Sequence, residues 1–336
     1  MKKYSHAWIA FMAIKRLKAI GTLPIVDAKG AEGLRKDARD LVSWFMNYRD
    51  FVIKGSWYPD EVFKDMGTSH ILKYKPYQQG DKTCYTEFKP LPDTMQCYAI
   101  ARGSYLFNQP YSIEDGNLAD RCESLAHGLV DSFKILHNEE KGNPICPSNN
   151  HVAARFFILS HYIADAHMPL HCDVRPFSDG KKLHAAIEKN WDDAIRASYL
   201  LDTDNERFFY DIDGFPYPDE TLVPWIREVA DSVLTRPYVH SWGAANKKNG
   251  ALRDNASTWD YMSAVTEYSY LLSYLMIPAG RDNSLGWADY RRLPESARFE
   301  EYSKAIFTDA IDSVARIWLH AWIRYRRWVE GRFKKA

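Results

Sequence analysis

The residues best suited to chemistry lie near the middle of the chain, in the stretch His-Tyr-Ile-Ala-Asp-Ala-His-Met-Pro-Leu-His from His161 to His171. It follows a largely apolar run over residues 152–159 that predicts a helix. His161 and Asp165 are four residues apart, so both side chains project from one helix face. Pro169 ends the helix and turns the chain, which lets His171 return toward that face. The three groups suit a divalent metal, although His161 and Asp165 also suit a hydrogen-bonded structural pair, and this stretch alone leaves both interpretations open.

Further groups of the same chemical type lie on either side of this stretch. His184 and Glu188 form a second pair four residues apart on a predicted helix over residues 181–200. With His171 they make a trio of ligand types that zinc accepts while keeping a position for water. His6 opens the first predicted helix, and Asp60 and His70 lie on a turn-rich connection. Taken singly, each of these three has an ordinary interpretation as a surface or turn residue.

Composition limits the class of protein. A chain of 336 residues with 46% hydrophobic residues buries a large core, as one big domain or as two modest ones. Lys plus Arg and Asp plus Glu both number 44, so no net charge indicates nucleic acid or an acidic membrane, although a local basic patch stays compatible with this total. The five cysteines are scattered without a C-x-x-C pair, which argues against a disulfide framework or a cysteine zinc site.

The N-terminal sequence does not read as a targeting segment. Its apolar run, residues 7–14, is short and leads into basic residues without a small-residue cleavage site, so we predict no signal peptide. The chain is expected to be cytoplasmic as written, or secreted if a leader has been removed. No apolar run approaches the length of a membrane span.

Helical periodicity dominates the rest of the chain and predicts an all-α fold. The predicted helices cover residues 5–20 (with Ser5 as N-cap), 31–53, 96–107, 117–137, 181–200, 222–235, 258–277 and 302–330, besides the central one. Residues 55–60 and 67–70 read as turns, 71–94 as a long loop or irregular hairpin, and 202–220 as loop. We predict a single helical domain over residues 1–336, monomeric, with insertions around 71–110 and 202–257.

Five sequence pieces resemble the zinc-dependent phospholipase C family and its relatives, the zinc-dependent single-strand nucleases. They are Ser5-His6-Ala7-Trp8-Ile9, Gly55-Ser56-Trp57-Tyr58-Pro59-Asp60, Ser69-His70, the stretch from His161 to His171, and Leu183-His184 through Glu188. The central H-x3-D-x5-H motif, followed by H-x3-E, is the most specific of them. The resemblance extends from the N-terminus to about residue 196, and loosely to the last helix.

This resemblance implies a helical domain with three zinc ions in a cleft. The ligand sets that it implies are Asp60, His70, His161 and Asp165 for one ion, His171, His184 and Glu188 for a second, and His6 and Asp165 with the amino and carbonyl groups of Met1 for a third. The chain departs from the family at its start, because the family's mature N-terminus is a tryptophan. The spacing of five residues from Met1 to His6 is similar to that of the nuclease branch, and we expect the Met1 amine, or that of a processed residue, to complete the third site.

The resemblance also implies a reaction, the hydrolysis of a phosphate ester. Zinc supplies hydroxide at neutral pH, and Asp60 is expected to act as a general base that orients the attacking water. Tyr58-Pro59-Asp60 and the glutamate at position 188 favour a phospholipase C acting on a phospholipid head group at a membrane surface. The N-terminal spacing, and Tyr and Trp side chains over residues 71–110 that could stack bases, favour the alternative, a single-strand nuclease. A non-catalytic helical interaction protein would leave the order of the eight ligand-type side chains unexplained.

Overall fold

Helices make up most of the chain that the structure describes. The computed structural model describes residues 1–26, 31–64, 67–76, 78–79, 82–83, 111–138, 145–239 and 257–333. The helices in these ranges are α1 (Lys3–Ile20), α2 (Ala31–Met46), α3 (Val52–Tyr58), α4 (Leu118–Asn138), α5 (Asn149–Ala166), α6 (Leu183–Ser198), α7 (Pro224–Thr235), α8 (Thr258–Met276), α9 (Trp287–Tyr290) and α10 (Phe299–Phe333). The fold is therefore all-α, as the sequence predicts.

Short strands pair in twos between the helices. They are β1 (Ile25–Val26), β2 (Leu72–Pro76), β3 (Gln78–Gln79), β4 (Lys82–Thr83), β5 (Tyr111–Gly116), β6 (Leu201–Asp202), β7 (Arg207–Phe208) and β8 (Tyr238–Val239). Strands β2 and β5 are antiparallel with Leu72 opposite Gly116, and β1 and β8 are parallel. The Tyr74 N–H donates to the Cys172 carbonyl at 2.9 Å, which ties β2 to the segment that follows His171.

Helix α1 lies at the centre of the packing. The eight side chains of residues 7–14 are each at most 3% exposed. A helix that is apolar on every side must be surrounded, and α1 packs against α2, α3, α5, α6, α7 and α10. Full burial of a large apolar side chain contributes about 1.5–3 kcal/mol. His6, on the first turns of this helix, is therefore held by a rigid element.

Polar contacts with other helices also hold α1 in place. At its start, the Tyr4 and Ser5 N–H groups donate to the Asp192 carboxylate of α6, at 2.9 and 3.0 Å. Such a carboxylate is favourable at a helix N-terminus, where N–H groups lack partners inside the helix. Near its end, Arg16 Nε donates to Asp312 Oδ1 of α10 at 2.7 Å, with both side chains buried. Both ends of α1 are thus fixed by charged side chains that have hydrogen-bond partners.

Most predicted helices are confirmed to within a few residues. The predictions over 5–20, 117–137, 181–200, 222–235, 258–277 and 302–330 correspond to α1, α4, α6, α7, α8 and α10. The predicted helix over 96–107 lies outside the described residues. The window 71–94 contains β2, whose partner strand β5 comes later in the chain, and 202–220 is mostly loop around β6 and β7. Among the described residues, none of the helices is long and apolar enough to span a bilayer.

Three predictions of local structure are wrong. Ser5 is not an N-cap, because α1 begins at Lys3 and its N-cap is Lys2. The predicted helix over 31–53 is two helices, since α2 ends at Met46 and a 3-10 turn at Arg49–Phe51 precedes α3. Residues 55–60 are helical rather than a turn, because α3 runs to Tyr58 and continues as a π-helical turn over Pro59–Phe63. A proline fits there because the first N–H groups of a helical turn need no partner inside the helix.

A glycine sets the close approach of α3 to α5. A Cβ added at Gly55 would lie 2.7 Å from the Cβ of Phe157, closer than carbon atoms pack. The helix pair can therefore approach this closely only with glycine at position 55. The approach also fixes Ser56, the next residue along α3, against α5.

We predict that Gly55→Ala lowers the free energy of unfolding by about 1–3 kcal/mol, because the added methyl group must push α3 away from α5. Gly33→Ala is the matched control, since a Cβ at Gly33 of α2 meets nothing within 4 Å. Removing a helical glycine there is expected to leave stability unchanged or raise it by up to about 1 kcal/mol. Urea unfolding followed by circular dichroism measures both changes. Equal midpoints for Gly55→Ala and the unchanged chain would contradict the packing argument.

Candidate metal centre

The structure brings together all of the side chains that the sequence predicts as ligands, although they come from separate elements. His6 lies on α1, His161 and Asp165 on α5, His184 and Glu188 on α6, Asp60 on the π-helical turn after α3, and His70 and His171 on short 3-10 turns. Three groups of ligand-type side chains result, each with one ligand atom per residue and all of these atoms within 4.8 Å of one another. They are Asp60, His70 and His161; His6, His161 and Asp165; and His171, His184 and Glu188.

The first group has the spacing of a metal site. Asp60 Oδ1 lies 3.2 Å from His70 Nε2 and 3.5 Å from His161 Nε2, and these two nitrogens are 3.0 Å apart. Asp165 Oδ2 is 3.2 Å from His161 Nε2 and 4.0 Å from His70 Nε2. Ligand atoms about 2.0–2.1 Å from a tetrahedral zinc ion are about 3.3 Å from one another. The atoms of Asp60, His70 and His161 therefore approximate three corners of such a tetrahedron, and Asp165 Oδ2 lies beside His161.

Asp165 connects the groups because its two carboxylate oxygens face different partners. Oδ2 faces His161 and His70, whereas Oδ1 lies 2.8 Å from the Met1 amine, 3.4 Å from His6 Nε2 and 3.6 Å from His171 Nδ1. A carboxylate used in this way suits a position between two cations. No other carboxylate among the described residues of the site has this arrangement.

The group of His171, His184 and Glu188 also contacts the Met1 amine. Glu188 Oε1 is 2.9 Å from His184 Nε2, 3.4 Å from His171 Nε2 and 2.8 Å from the Met1 nitrogen. The Ser178 hydroxyl is 2.8 Å from His184 Nδ1, the ring nitrogen that faces away from Glu188. That contact orients the imidazole so that Nε2 points into the group.

The main chain of α3 orients His161. Its Nδ1–H donates to the Ser56 carbonyl at 2.7 Å, so in the neutral ring Nε2 carries the lone pair. Nε2 is the atom that faces Asp60, His70 and Asp165. A carbonyl acceptor behind an imidazole is a common arrangement in metal sites, where it fixes the tautomer and raises ligand basicity.

The three carboxyl groups of the site are held in the ionised form. Burial alone would raise the pKa of Asp165, but the amine at residue 1 and nearby imidazoles lower it well below the usual range. The pKa of Glu188 is likewise lowered, since the amine and His184 outweigh burial. For Asp60, His161 and His70 outweigh burial and lower the pKa. One buried and two half-buried carboxylates held together in this way require positive charge nearby.

The protons of the amine and of His161 provide part of this positive charge. Burial would lower the pKa of the Met1 amine, but Asp165 and Glu188 raise it to about 11. Asp165 and Asp60 likewise outweigh burial at His161 and raise its pKa to about 9. Burial lowers the pKa of His6 to about 4 and also lowers that of His171, so these rings are neutral, the form in which imidazole binds a metal.

Several buried polar atoms of the site have no hydrogen bond among the described residues. They are both ring nitrogens of His6, Oδ1 of Asp60 and Nδ1 of His171. Buried polar groups are nearly always paired, and an unpaired one costs about 1–3 kcal/mol. These atoms belong to nitrogen and oxygen ligand types that zinc accepts, so the residues present fit a divalent cation.

The groups line a cavity of about 320 Å³. Its wall includes candidate ligands from all three groups together with Lys2, Trp57, Ile71, Lys73, Leu170 and Ser178. Sequence reasoning missed Ser56 and Ser178, which contact ligand-type histidines, because neither a backbone acceptor nor a lone serine has a sequence signal. His167, in the central motif, contacts Ser313 of α10 through Nε2 at 2.9 Å, and Ser313 is not a candidate ligand.

Comparisons with known proteins add little to this description. No protein-family model matches the chain, and no curated protein matches it in sequence. Among solved structures, the chain is similar to the alpha-toxin of Clostridium perfringens from avian strain SWCP, with a TM-score of 0.42 and 13% sequence identity. The match covers 95% of this chain and 64% of the toxin chain, so the chain spans less than two thirds of the toxin's length. A likeness at this TM-score says nothing about activity.

We predict that changes at the site reduce bound metal unequally. His184→Ala should remove one divalent ion per chain, because His184 contacts one group, whereas Asp165→Asn should remove at least two, because its oxygens face different groups. Elemental analysis by plasma mass spectrometry after dialysis measures the ions, with circular dichroism to verify folding. His151→Ala, at an exposed histidine on α5, is the matched control. Equal metal content in all three variants would contradict the assignment of His184 to one ligand group and of Asp165 to two.

Proposed function

We propose that the chain is a zinc-dependent phosphodiesterase, a phospholipase C that hydrolyses the head-group phosphodiester of a phospholipid. The observation that carries the proposal is the convergence of eight imidazole and carboxylate side chains, six of which line one cavity, with ligand-type atoms 2.9–3.6 Å from their nearest neighbours. A purely structural cluster would be expected to pair its buried polar atoms, and this cluster leaves several unpaired. The motifs that resemble the zinc-dependent phospholipase C family support the choice of metal and reaction.

The family resemblance implies three ligand sets among the residues of this chain. We propose that Asp60, His70, His161 and Asp165 hold one zinc ion, that His171, His184 and Glu188 hold a second, and that His6, Asp165 and the amino and carbonyl groups of residue 1 hold a third. The short contacts of the Met1 amine with Asp165 and Glu188 support its inclusion. Zinc in such sites lowers the pKa of a bound water toward ~7 and stabilises negative charge on phosphate oxygens.

Asp60 has two roles in this proposal. Besides its place in a ligand set, its carboxylate is half-buried on the cavity wall and accepts a hydrogen bond from the attacking water, which orients that water toward phosphorus. The lowered pKa of Asp60 keeps the carboxylate ionised, so that it is able to accept a hydrogen bond from water and orient it. The hydrogen bond to the Ser56 carbonyl fixes the His161 ring, so that its Nε2 stays next to the Asp60 carboxylate.

A lipid substrate is favoured over a nucleic acid by exposed apolar side chains beside Asp60. Val62 and Phe63, on the same π-helical turn, are 58% and 45% exposed. Apolar side chains next to a cavity suit a lipid surface, where they insert between acyl chains. The five-residue spacing from residue 1 to His6 favours the alternative, a single-strand nuclease. Parallel assays on phospholipid and on single-stranded nucleic acid distinguish the two.

We predict that the zinc-loaded chain releases a water-soluble phosphate ester from phospholipid vesicles. A chelator should abolish the release and added zinc should restore it. Asp165→Asn should lower the rate by more than about 100-fold, because even a group that only orients a metal ligand contributes about 10–100-fold. His151→Ala should keep the full rate.

Phosphate-ester release is followed by phosphorus NMR, alongside a parallel digest of single-stranded DNA and RNA. Cleavage of nucleic acid without lipid hydrolysis would overturn the phospholipase proposal in favour of the nuclease alternative. A zinc-loaded chain that is inactive on both substrates would overturn the catalytic proposal.

A further inference from the structure

Two lysines line the cavity beside the candidate ligands. Apart from those ligands, its wall consists of Lys2, Trp57, Ile71, Lys73, Leu170 and Ser178. Lys2 precedes α1, and Lys73 lies on β2, three residues after His70. Strand β2 is paired with β5 and is hydrogen bonded to the segment that follows His171. The backbone of Lys73 is therefore held in a fixed position.

Lys73 and Lys2 differ from the neighbouring lysines because neither forms an ion pair with a described residue. Lys75, the next lysine of β2, pairs with Glu114, and Lys3 pairs with Glu206. In the part of the chain that the structure describes, neither Lys73 nor Lys2 has a carboxylate within 4.0 Å. The side chain of Lys73 is half-buried, which lowers the dielectric screening of its ammonium group.

The cavity is poorly suited to a cationic head group. Its carboxylates, Asp60, Asp165 and Glu188, all belong to the candidate metal groups, so no described carboxylate of the wall is left to pair with a quaternary ammonium. Quaternary ammonium groups are otherwise bound in cages of several aromatic rings. Apart from imidazoles, the described wall has one aromatic side chain, Trp57, and its ring lies 6.0 Å from His6 and 6.2 Å from His161.

From this lining we infer that the cavity selects those acidic phospholipids whose head group carries no cation, such as phosphatidylglycerol, and that Lys73 is the residue that determines this specificity. The inference rests on the proposed phospholipase activity. An ammonium group repels the trimethylammonium of phosphatidylcholine, whereas it donates hydrogen bonds to the hydroxyl and phosphate oxygens of phosphatidylglycerol. Hydrogen bonds from a charged donor are among the stronger ones in proteins.

The products of the reaction strengthen the argument. Water oxygen forms a bond to phosphorus, and the bond from phosphorus to the diacylglycerol oxygen breaks. One proton of the water passes to that oxygen, and the other is released to solvent as the monoester ionises. The released phosphate monoester then carries close to two negative charges at neutral pH, one more than the diester. Lys73 therefore faces a charge that increases along the reaction, and its attraction is stronger for a head group without a compensating cation.

The test compares dihexanoyl phosphatidylglycerol with dihexanoyl phosphatidylcholine as dissolved monomers. Monomers remove the surface charge of a vesicle, which would otherwise attract any basic protein. The variants are Lys73→Gln and, as the matched control on the same strand, Lys75→Gln. The measured quantity is kcat/KM for release of each phosphate ester by zinc-loaded protein.

We predict that the unchanged chain favours phosphatidylglycerol by about 10-fold, that Lys73→Gln lowers this ratio about 10-fold, and that Lys75→Gln leaves it unchanged. Hydrolysis of both lipids without this preference, or an equal ratio in the two variants, would overturn the inference and leave the phospholipase proposal standing. Hydrolysis of neither lipid, with or without cleavage of single-stranded nucleic acid, would overturn both.

Discussion

The account depends on one constraint, which is that the buried carboxylate of Asp165 must stay ionised. Its side chain is almost completely buried, and burial opposes a negative charge. The structure meets this demand by placing the amine at residue 1 and the rings of His171, His161 and His6 around the carboxylate, where they lower the pKa of Asp165 well below its usual range. Breaking a buried charge arrangement by removing one partner costs about 3–5 kcal/mol. The negative charge of the carboxylates is therefore balanced by several neighbouring groups together. A divalent cation would balance it more completely than the protons on the amine and His161 do.

The helical scaffold meets this constraint by holding three helices rigidly around one point. Helix α1 carries His6 and is enclosed by six other helices, with Asp192 of α6 bound at its start. Helix α5 carries His161 and Asp165 and is approached so closely by α3 that only glycine fits at position 55. That approach places the Ser56 carbonyl behind His161. The same contacts thus pack the core and orient the side chains of the site.

Local sequence predicted the parts of this arrangement that depend on local spacing. The four-residue separation of His161 from Asp165, and of His184 from Glu188, places each pair on one helix face whatever the tertiary fold. The apolar run of residues 7–14 likewise predicts α1. The failures have tertiary causes: Ser5 binds a carboxylate of another helix instead of capping its own, and Gly55 reads as a turn residue although it serves helix packing. The contacts of Ser56 and Ser178 with the site, and the position of Lys73 on the cavity wall, could not be predicted, since they arise only when distant segments meet.

The most direct test of the central claim is anomalous X-ray diffraction from crystals grown with zinc, measured on both sides of the zinc absorption edge. The account predicts three zinc-specific peaks, which are bounded by Asp60, His70, His161 and Asp165; by His171, His184 and Glu188; and by residue 1, His6 and Asp165. The two peaks next to Asp165 should face different oxygens of its carboxylate. Ordered side chains that hydrogen bond to one another, with no zinc-specific peak among them, would contradict the account.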